Sequence, residues 1–314
     1  MLRDQQIEMR RSGLGASEVP VALGLSHFQP AAELAAVKRG ELPAFEGNRF
    51  THWGSTLEVA IVGEWLRVHR EAGEDVSIFT PPTIRHPTST VLLATADRVI
   101  VPGGRRAREV WEGLLEAKNV SGYRLVEFDD GEIPEPMIVQ TQVQLEVLDL
   151  ERSWLVALIG GNDWREFPVV RDREMGGMLV QFVEKWWSDH VVQGIPVPVD
   201  GSEASTSYLR RRYPADQGPL LSPTPEAEQL VARLRAAKAA LKAAKEDEAA
   251  AGNALRALIG EGAGVAGLAT WKANRPSKEI DWEGLAHYLG FSDDLAAKFT
   301  TLKPGARQLR LAKE

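Results

Sequence analysis

The sequence predicts an α/β (α+β) chain: a central mixed β-sheet flanked by helices, followed by a long C-terminal helix and a small β element. Three observations predict it. From the N-terminus to about Pro198, turn residues separate segments of mixed period, some helical and some alternating, as layered helix-on-sheet packing requires. Within that body, residues 91–101 and 111–119 are apolar-rich runs around a Pro102-Gly103-Gly104 turn and a basic loop, the pattern of a β-hairpin. Beyond Pro225, Leu230, Leu234, Ala237, Leu241, Ala244, Ala251, Leu255 and Leu258 recur in steps of four and three, with Glu248 on one seam position. Such a period predicts a helix of about thirty residues.

Residues 1–200 are read as the main domain. Between Val199 and Pro225, serine, glycine, proline and charge take over, with the basic run Arg210, Arg211, Arg212 among them, so residues 201–225 read as a linker or surface loop. Residues 226–314 then form a C-terminal helical arm with a small strand-containing appendage. Alanine makes a thin seam, which suits a helix packed on its own domain or hairpinned with a neighbour; a coiled-coil arm joining copies of the chain stays open. Gly262, Gly264 and Gly267 spell GxGxxG, but they follow a helix and precede the strand-like residues 268–273. A dinucleotide site needs the reverse order, so these glycines read as a helix-to-strand turn.

Composition narrows the chemistry. At 314 residues and 44% apolar content, the chain has enough to bury a full core. It has no cysteine, which excludes disulfides, thiolate zinc sites, cysteine nucleophiles and iron–sulfur clusters. The six histidines show no pair at zinc-binding spacing, so zinc is not expected and a metal would sit on oxygen. No charged-then-apolar leader opens the sequence and no apolar run reaches membrane length, so a cytoplasmic location with no membrane contact is expected. A net charge of -7 repels phosphate overall, and binding to nucleic acid would have to rest on local positive patches.

The predicted hairpin carries the chemistry. If its strands pair antiparallel about a loop centred near Arg106, Asp97 lies across from Glu116 or a near neighbour. Glu116 and Lys118 share one strand face, while Leu115 and Ala117 take the other. Paired carboxylates suit a hard cation such as Mg²⁺ bridging a phosphate, and an adjacent ammonium orients or helps deprotonate water and offsets developing charge. Hydrolysis of a phosphodiester is the reaction implied. An acid-x-lysine triplet alone carries no weight in a chain with 44 acids, where an exposed strand with a solvated ion pair is the plain alternative.

Five blocks add to the triplet: Gly15-Ala-Ser-Glu-Val19 with Ala22-Leu-Gly-Leu-Ser26, Trp53-Gly-Ser-Thr-Leu-Glu58, Ala94-Thr-Ala-Asp97, Leu115-Glu-Ala-Lys118 and Gln142-Val-Gln-Leu-Glu-Val147. In this order they resemble the YqaJ viral recombinase family, which belongs with lambda exonuclease in the PD-(D/E)xK nuclease superfamily. The resemblance covers roughly residues 8–200. It implies a PD-(D/E)xK, restriction-endonuclease-like core, with Asp97 and Glu116 as metal ligands, the Ala117 carbonyl as a further one, and Lys118 as the catalytic lysine. Glu58 is implied as an additional acid near the metal; on its helix it shares a face with Val62 and Trp65, where an unpaired carboxylate is costly. Gln142 and Gln144 match a glutamine block that lines the active site, or else are polar positions on an amphipathic helix over 138–148. Two residues depart from the family pattern: Ala96 stands where many relatives have proline, and Glu18 where aspartate is common.

Likeness to lambda exonuclease further implies a 5′-phosphate pocket from Arg11, Ser17, Thr95 and Arg124, since a guanidinium fork and hydroxyls are what a terminal phosphate requires. It implies Mg²⁺, with Mn²⁺ substituting, and linear duplex DNA ends as partner. A single-strand annealing protein, a trimeric assembly and a bacterial or phage-infected host cell are implied as well. The leading expectation is a 5′-to-3′ double-strand DNA exonuclease; a phage-type endonuclease and a non-catalytic DNA-binding or assembly protein are the alternatives.

Overall fold

The computed structural model describes residues 9–301 apart from 104, 106, 217 and 276–279. Arg106, the expected hairpin centre, and Gly104 thus lie outside the described residues. The chain divides into two units, Met1–Arg212 and Tyr213–Glu314.

The first unit is built on a mixed five-stranded sheet flanked by helices, in the fold class that the sequence predicts. Its strands are β2 (Val76–Phe79), β5 (Arg98–Pro102), β6 (Gly113–Val120), β7 (Arg152–Ile159) and β8 (Asp163–Val170), in the order β2-β5-β6-β7-β8. Only the β6–β7 pair is parallel; the other neighbours are antiparallel. A smaller sheet joins β1 (Leu14–Gly15), β4 (Leu92–Ala94) and β3 (Ile84–Arg85) in the order β1-β4-β3. The predicted hairpin forms, but its first run is not one strand: it leaves the small sheet after Ala94 and enters the large one at Arg98. Apolar residues continue across this break, so alternation alone gives no sign of it. Gly113 begins β6 because a Cβ there would meet the Trp154 ring at 2.7 Å and the Arg152 carbonyl at 3.0 Å.

Helices cover both faces of the large sheet. The helix α1 (Val19–Ala22) is short and buried, and α2 is Ala31–Lys38. Next comes α3 (Arg49–Glu71), which starts at a capping box between Asn48 and Thr51 and buries Ile61, Val62 and Trp65 against Val76, Ile100, Leu115 and Val156. On the other face, α4 (Glu135–Leu148) and α5 (Arg173–Trp187) pack Val139, Val143, Val147, Leu179 and Val183 with Val99 and Leu114. Strand alternation therefore assigns Leu114, Glu116 and Lys118 to the α4 face and Leu115 to the α3 face.

A buried lysine ties the N-terminal segment together. Lys38, with its side chain 4% exposed, gives its three donors to the Arg10 carbonyl (2.7 Å), the Gly13 carbonyl (2.8 Å) and Glu18 (2.7 Å). Glu18 also accepts the Gly15 amide at 2.8 Å. Burial holds the Lys38 ammonium below its ordinary pKa, partly offset by the charge of Glu18. Elsewhere His69 stacks on Trp65 and lies between Glu74 and Glu166, joining α3 to β8.

Part of the stretch read as a linker folds as α6 (Glu203–Arg212). Asp200 gathers the Ser202 amide and the Ser202 and Ser205 hydroxyls at its start, while Arg211 and Arg212 pair with Glu33 and Glu41. These tertiary ion pairs, absent from any local pattern, make a helix of a polar segment.

The second unit begins with α7 (Pro225–Ile259), 35 residues long, capped by Thr224 and carrying no buried residue. Gly260 ends it, and of the GxGxxG glycines, read as a helix-to-strand turn, Gly262 precedes a hairpin of β9 (Gly264–Val265) and β10 (Ala269–Thr270), Gly264 begins β9 and Gly267 lies in the turn between the strands. Gly264 has φ 143° and lies so close to the Ala269 carbonyl that a side chain would clash. Two short helices follow, α8 (Trp282–Tyr288) and α9 (Asp293–Phe299). No described helix is long and apolar enough to cross a membrane.

Removing one partner of a buried ion pair leaves the other uncompensated. Lys38→Ala is expected to lower unfolding free energy by about 3 kcal/mol in urea titration, against under about 1 kcal/mol for the exposed Lys242→Ala.

Candidate active site

The site grows from the register of β5 and β6. Arg98 pairs with Leu115 and Val99 with Leu114, so Asp97, one step earlier, stands across from Glu116. Asp97 lies outside the ladder, on the crossing between the two sheets, and its Oδ2 accepts the Ala117 amide at 2.8 Å. A strand residue directs its amide and carbonyl to the same side, so the Ala117 carbonyl, expected as a metal ligand, faces the Asp97 side of β6.

Glu116 is buried, 4% exposed, and heavily engaged. One oxygen accepts from Lys118 Nζ at 2.7 Å and from Gln140 Nε2 at 2.5 Å; the other accepts from Gln144 Nε2 at 2.7 Å. Gln140 Oε1 in turn accepts from Lys118 Nζ at 3.0 Å. A carboxylate offers about four lone-pair sites, so Glu116 keeps roughly one open and Asp97 about three.

The charges are strongly coupled. Burial, and then the negative charge of Glu116, push the Asp97 carboxyl up to about 8, against the pull of Lys118 and the Ala117 amide. Burial draws Lys118 down, but the charges of Glu116 and Asp97 outweigh it and hold the ammonium above its ordinary value. With both carboxyls ionised, the centre would hold more negative charge than one lysine satisfies. Gln144 Oε1 adds a buried oxygen with no hydrogen-bond partner. Among the described residues no three histidine, aspartate or glutamate side chains gather into a closed cage. A hydrated Mg²⁺ asks for less, being held by one or two carboxylates while keeping several waters. The donor chemistry therefore fits a hard cation at Asp97 and Glu116.

Glu58 reaches the site differently from what the sequence suggests. It comes from α3 on the opposite face and pairs with Arg98 at 2.6 Å, and the same Arg98 nitrogen donates to the Asp97 carbonyl at 2.5 Å. Its charge is nevertheless felt at both Asp97 and Lys118. The carboxylate that looked costly without a metal has a guanidinium partner.

The two expected glutamines part company. Gln144 reaches Glu116 and, at 3.3 Å, the Thr95 carbonyl. Gln142 is turned away: its Nε2 donates to the Val170 carbonyl and its Oε1 accepts the Asp172 amide, each at 2.8 Å, fastening α4 to the start of α5. Two residues along a helix are about 200° apart, so both cannot face the carboxylates. Gln140, four residues before Gln144, is the partner that sequence reading missed, and Arg98 is another. The i, i+4 spacing of two glutamines was the available signal.

The four residues expected to hold a 5′-phosphate have separate partners here. Ser17 accepts from Arg10 at 3.3 Å, Thr95 shares a hydroxyl hydrogen bond with Thr83 at 2.8 Å, and Arg124 is paired with Glu127 at 2.6 Å. Arg11 is exposed.

A curated Bacillus subtilis (strain 168) protein, described as the uncharacterized protein YqaJ, is 36% identical over 219 residues, 68% of this chain and 64% of that protein. The chain therefore spans under two thirds of that relative's length. Among solved structures, an alkaline exonuclease (LHK-Exo) from Laribacter hongkongensis matches with TM-score 0.48 and 18% identity, over 67% of this chain and 97% of its own. A phage related exonuclease from Haemophilus somnus 129PT matches with TM-score 0.39 and 11% identity, over 58% of this chain and 96% of its own. The family model for the YqaJ-like viral recombinase domain matches residues 6–151, a span that includes Glu58, Asp97, Glu116, Lys118 and the helix bearing Gln140 and Gln144. Residues 6–151 are thus similar to the YqaJ-like viral recombinase domain.

Proposed function

We propose that the chain is a divalent-metal-dependent deoxyribonuclease that digests linear duplex DNA from its 5′ ends. The observation that carries the reading is the facing of Asp97 and Glu116 across β5 and β6, with the Lys118 ammonium 2.7 Å from Glu116. Asp97, Glu116 and the Ala117 carbonyl would hold the cation, Mg²⁺ or in its place Mn²⁺. When bound, it would polarise the scissile phosphate and lower the pKa of water.

The chain's own residues supply the rest. Lys118, kept protonated by the two carboxylates, acts as a donor and positive charge beside the phosphate rather than as a base. Gln140 spans Lys118 and Glu116 and fixes both in one geometry, while Gln144 steadies Glu116 from the other side. Arg98 offsets Glu58 beside them. The 5′-end preference rests on the sequence resemblance, with Arg11, Ser17, Thr95 and Arg124 as proposed donors to the terminal phosphate. Arg124 would have to exchange Glu127 for that phosphate. A trimer and an annealing partner belong to the same reading.

The test is digestion of 5′-labelled linear duplex with Mg²⁺ beside covalently closed DNA of the same sequence. Linear DNA should be consumed and closed DNA spared, and Lys118→Ala should slow the reaction by about 10²–10⁴-fold. Cleavage of closed DNA would mark an endonuclease, and no cleavage at all a binding protein.

Gln140→Ala is expected to lower kcat by about tenfold or more with little change in stability. Gln142→Ala should do the reverse, leaving kcat within about threefold and costing about 1–2 kcal/mol, because it orphans the Asp172 amide and the Val170 carbonyl.

A third expectation concerns pH in EDTA. The folded Asp97 pKa, about 8, lies above its unfolded value, so the folded state binds the extra proton between roughly pH 4 and 8. Stability from this group therefore falls as pH rises through that window. Asp97→Asn, which keeps an acceptor for the Ala117 amide, should be as stable as the parent near pH 4 and more stable at pH 9, by on the order of a few kcal/mol in thermal melts, while losing nuclease activity.

A further inference from the structure

One charged feature lies outside the nuclease centre. The chain carries a net charge of -7, yet within α7 Arg233, Arg235, Lys238, Lys242 and Lys245 follow one another with no acid between them. At about 100° per residue, Arg235, Lys238, Lys242, Lys245 and, about three turns on, Arg256 fall within roughly 80° of arc along about 31 Å of helix. No residue of α7 is buried, and Lys242 stands 79% exposed, in a solvated i,i+4 pair with Glu246 at 3.7 Å. Ala249 and Asn253 lie on the same stripe between Lys245 and Arg256, and Asn253 accepts from Arg256 at 3.0 Å. In α6, by contrast, Arg211 and Arg212 pair with acids distant in sequence, Glu33 and Glu41.

Charge decides among the occupants of such a face. A second copy of α7 packed through the leucine–alanine seam would set like charges together: Arg233 would meet Lys238 in a parallel pair, and Lys238 would meet Lys245 in an antiparallel one. A membrane surface calls for bulky apolar anchors beside the bases, and the seam holds leucine and alanine with no aromatic residue. A polyanion with evenly spaced charges needs neither, and a row of separate ammonium groups suits it.

We propose that this stripe is a second, non-catalytic contact for the phosphate backbone of DNA, independent of sequence. The proposal deepens the nuclease reading and rests on it: it gives an otherwise acidic chain a place to hold its substrate on residues that take no part in the reaction.

The test uses the full chain in EDTA, with fluorescein-labelled duplex DNA followed by anisotropy across a salt series. The variant is Lys238→Gln with Lys242→Gln and Lys245→Gln, since glutamine keeps helix propensity and circular dichroism checks the helix. Affinity at low salt should fall by about tenfold or more, and the slope of log K against log salt should shrink by about three, roughly 0.9 per lost phosphate contact. With Mg²⁺, single-turnover cleavage of a saturating short duplex should match the parent. An unchanged affinity and slope overturns the proposal. So does an unchanged DNA slope accompanied by lost binding to phosphatidylserine vesicles, or by a changed mass in solution; these outcomes assign the face to membrane or to a second copy. If the parent fails to cleave while the DNA slope still depends on the three lysines, the nuclease reading falls and the stripe stands.

Discussion

Like charge held together is the constraint from which the first unit is organised. The β5–β6 register sets Asp97 against Glu116, and burial deprives both of the water that would separate their charges. Lys118 and three amide donors from Gln140, Gln144 and Ala117 compensate in part. Each donor comes from an element whose position is set by apolar packing elsewhere: Val139, Val143 and Val147 hold α4, and Leu114 and Leu115 fix the two faces of β6. Packing thus supplies the work that keeps two carboxylates adjacent, and the cost of ionising both there is what a cation would relieve.

How much of this was readable from residues alone depended on period. The hairpin register was legible because a turn and two alternating runs leave few ways to pair, and residue 97 then falls opposite 116. The long C-terminal helix was legible from its seam, and the order of glycines after it from what they follow. Helix phase in α4 was not. Thr141, Gln142, Val143, Gln144 and Leu145 are all buried, so the helix has no polar face to reveal which glutamine points to the carboxylates. Arg98 was hidden for another reason. Its partner Glu58 sits forty residues earlier on a helix of the opposite face, and no local spacing encodes such an ion pair.

Lys38 and α6 teach the same lesson from outside the site. A lysine at the end of a short helix reads as solvated charge, yet three oxygen acceptors converge on it from residues 10, 13 and 18. In α6, polar composition argued for a loop, and arginines matched to Glu33 and Glu41 override it. Both depend on partners brought close only by tertiary folding, which propensity cannot report.

The crossing from β4 to β5 has a mechanical consequence. Asp97 occupies a three-residue bridge whose upstream end belongs to the small sheet and whose downstream end belongs to the large one. The small sheet is joined through β1 to the N-terminal segment gripped by Lys38. A tilt of that sheet would move the bridge and with it the gap between the carboxylates. Damage many residues away, with no contact to either acid, would therefore reach the spacing of Asp97 and Glu116 as a lever reaches its load.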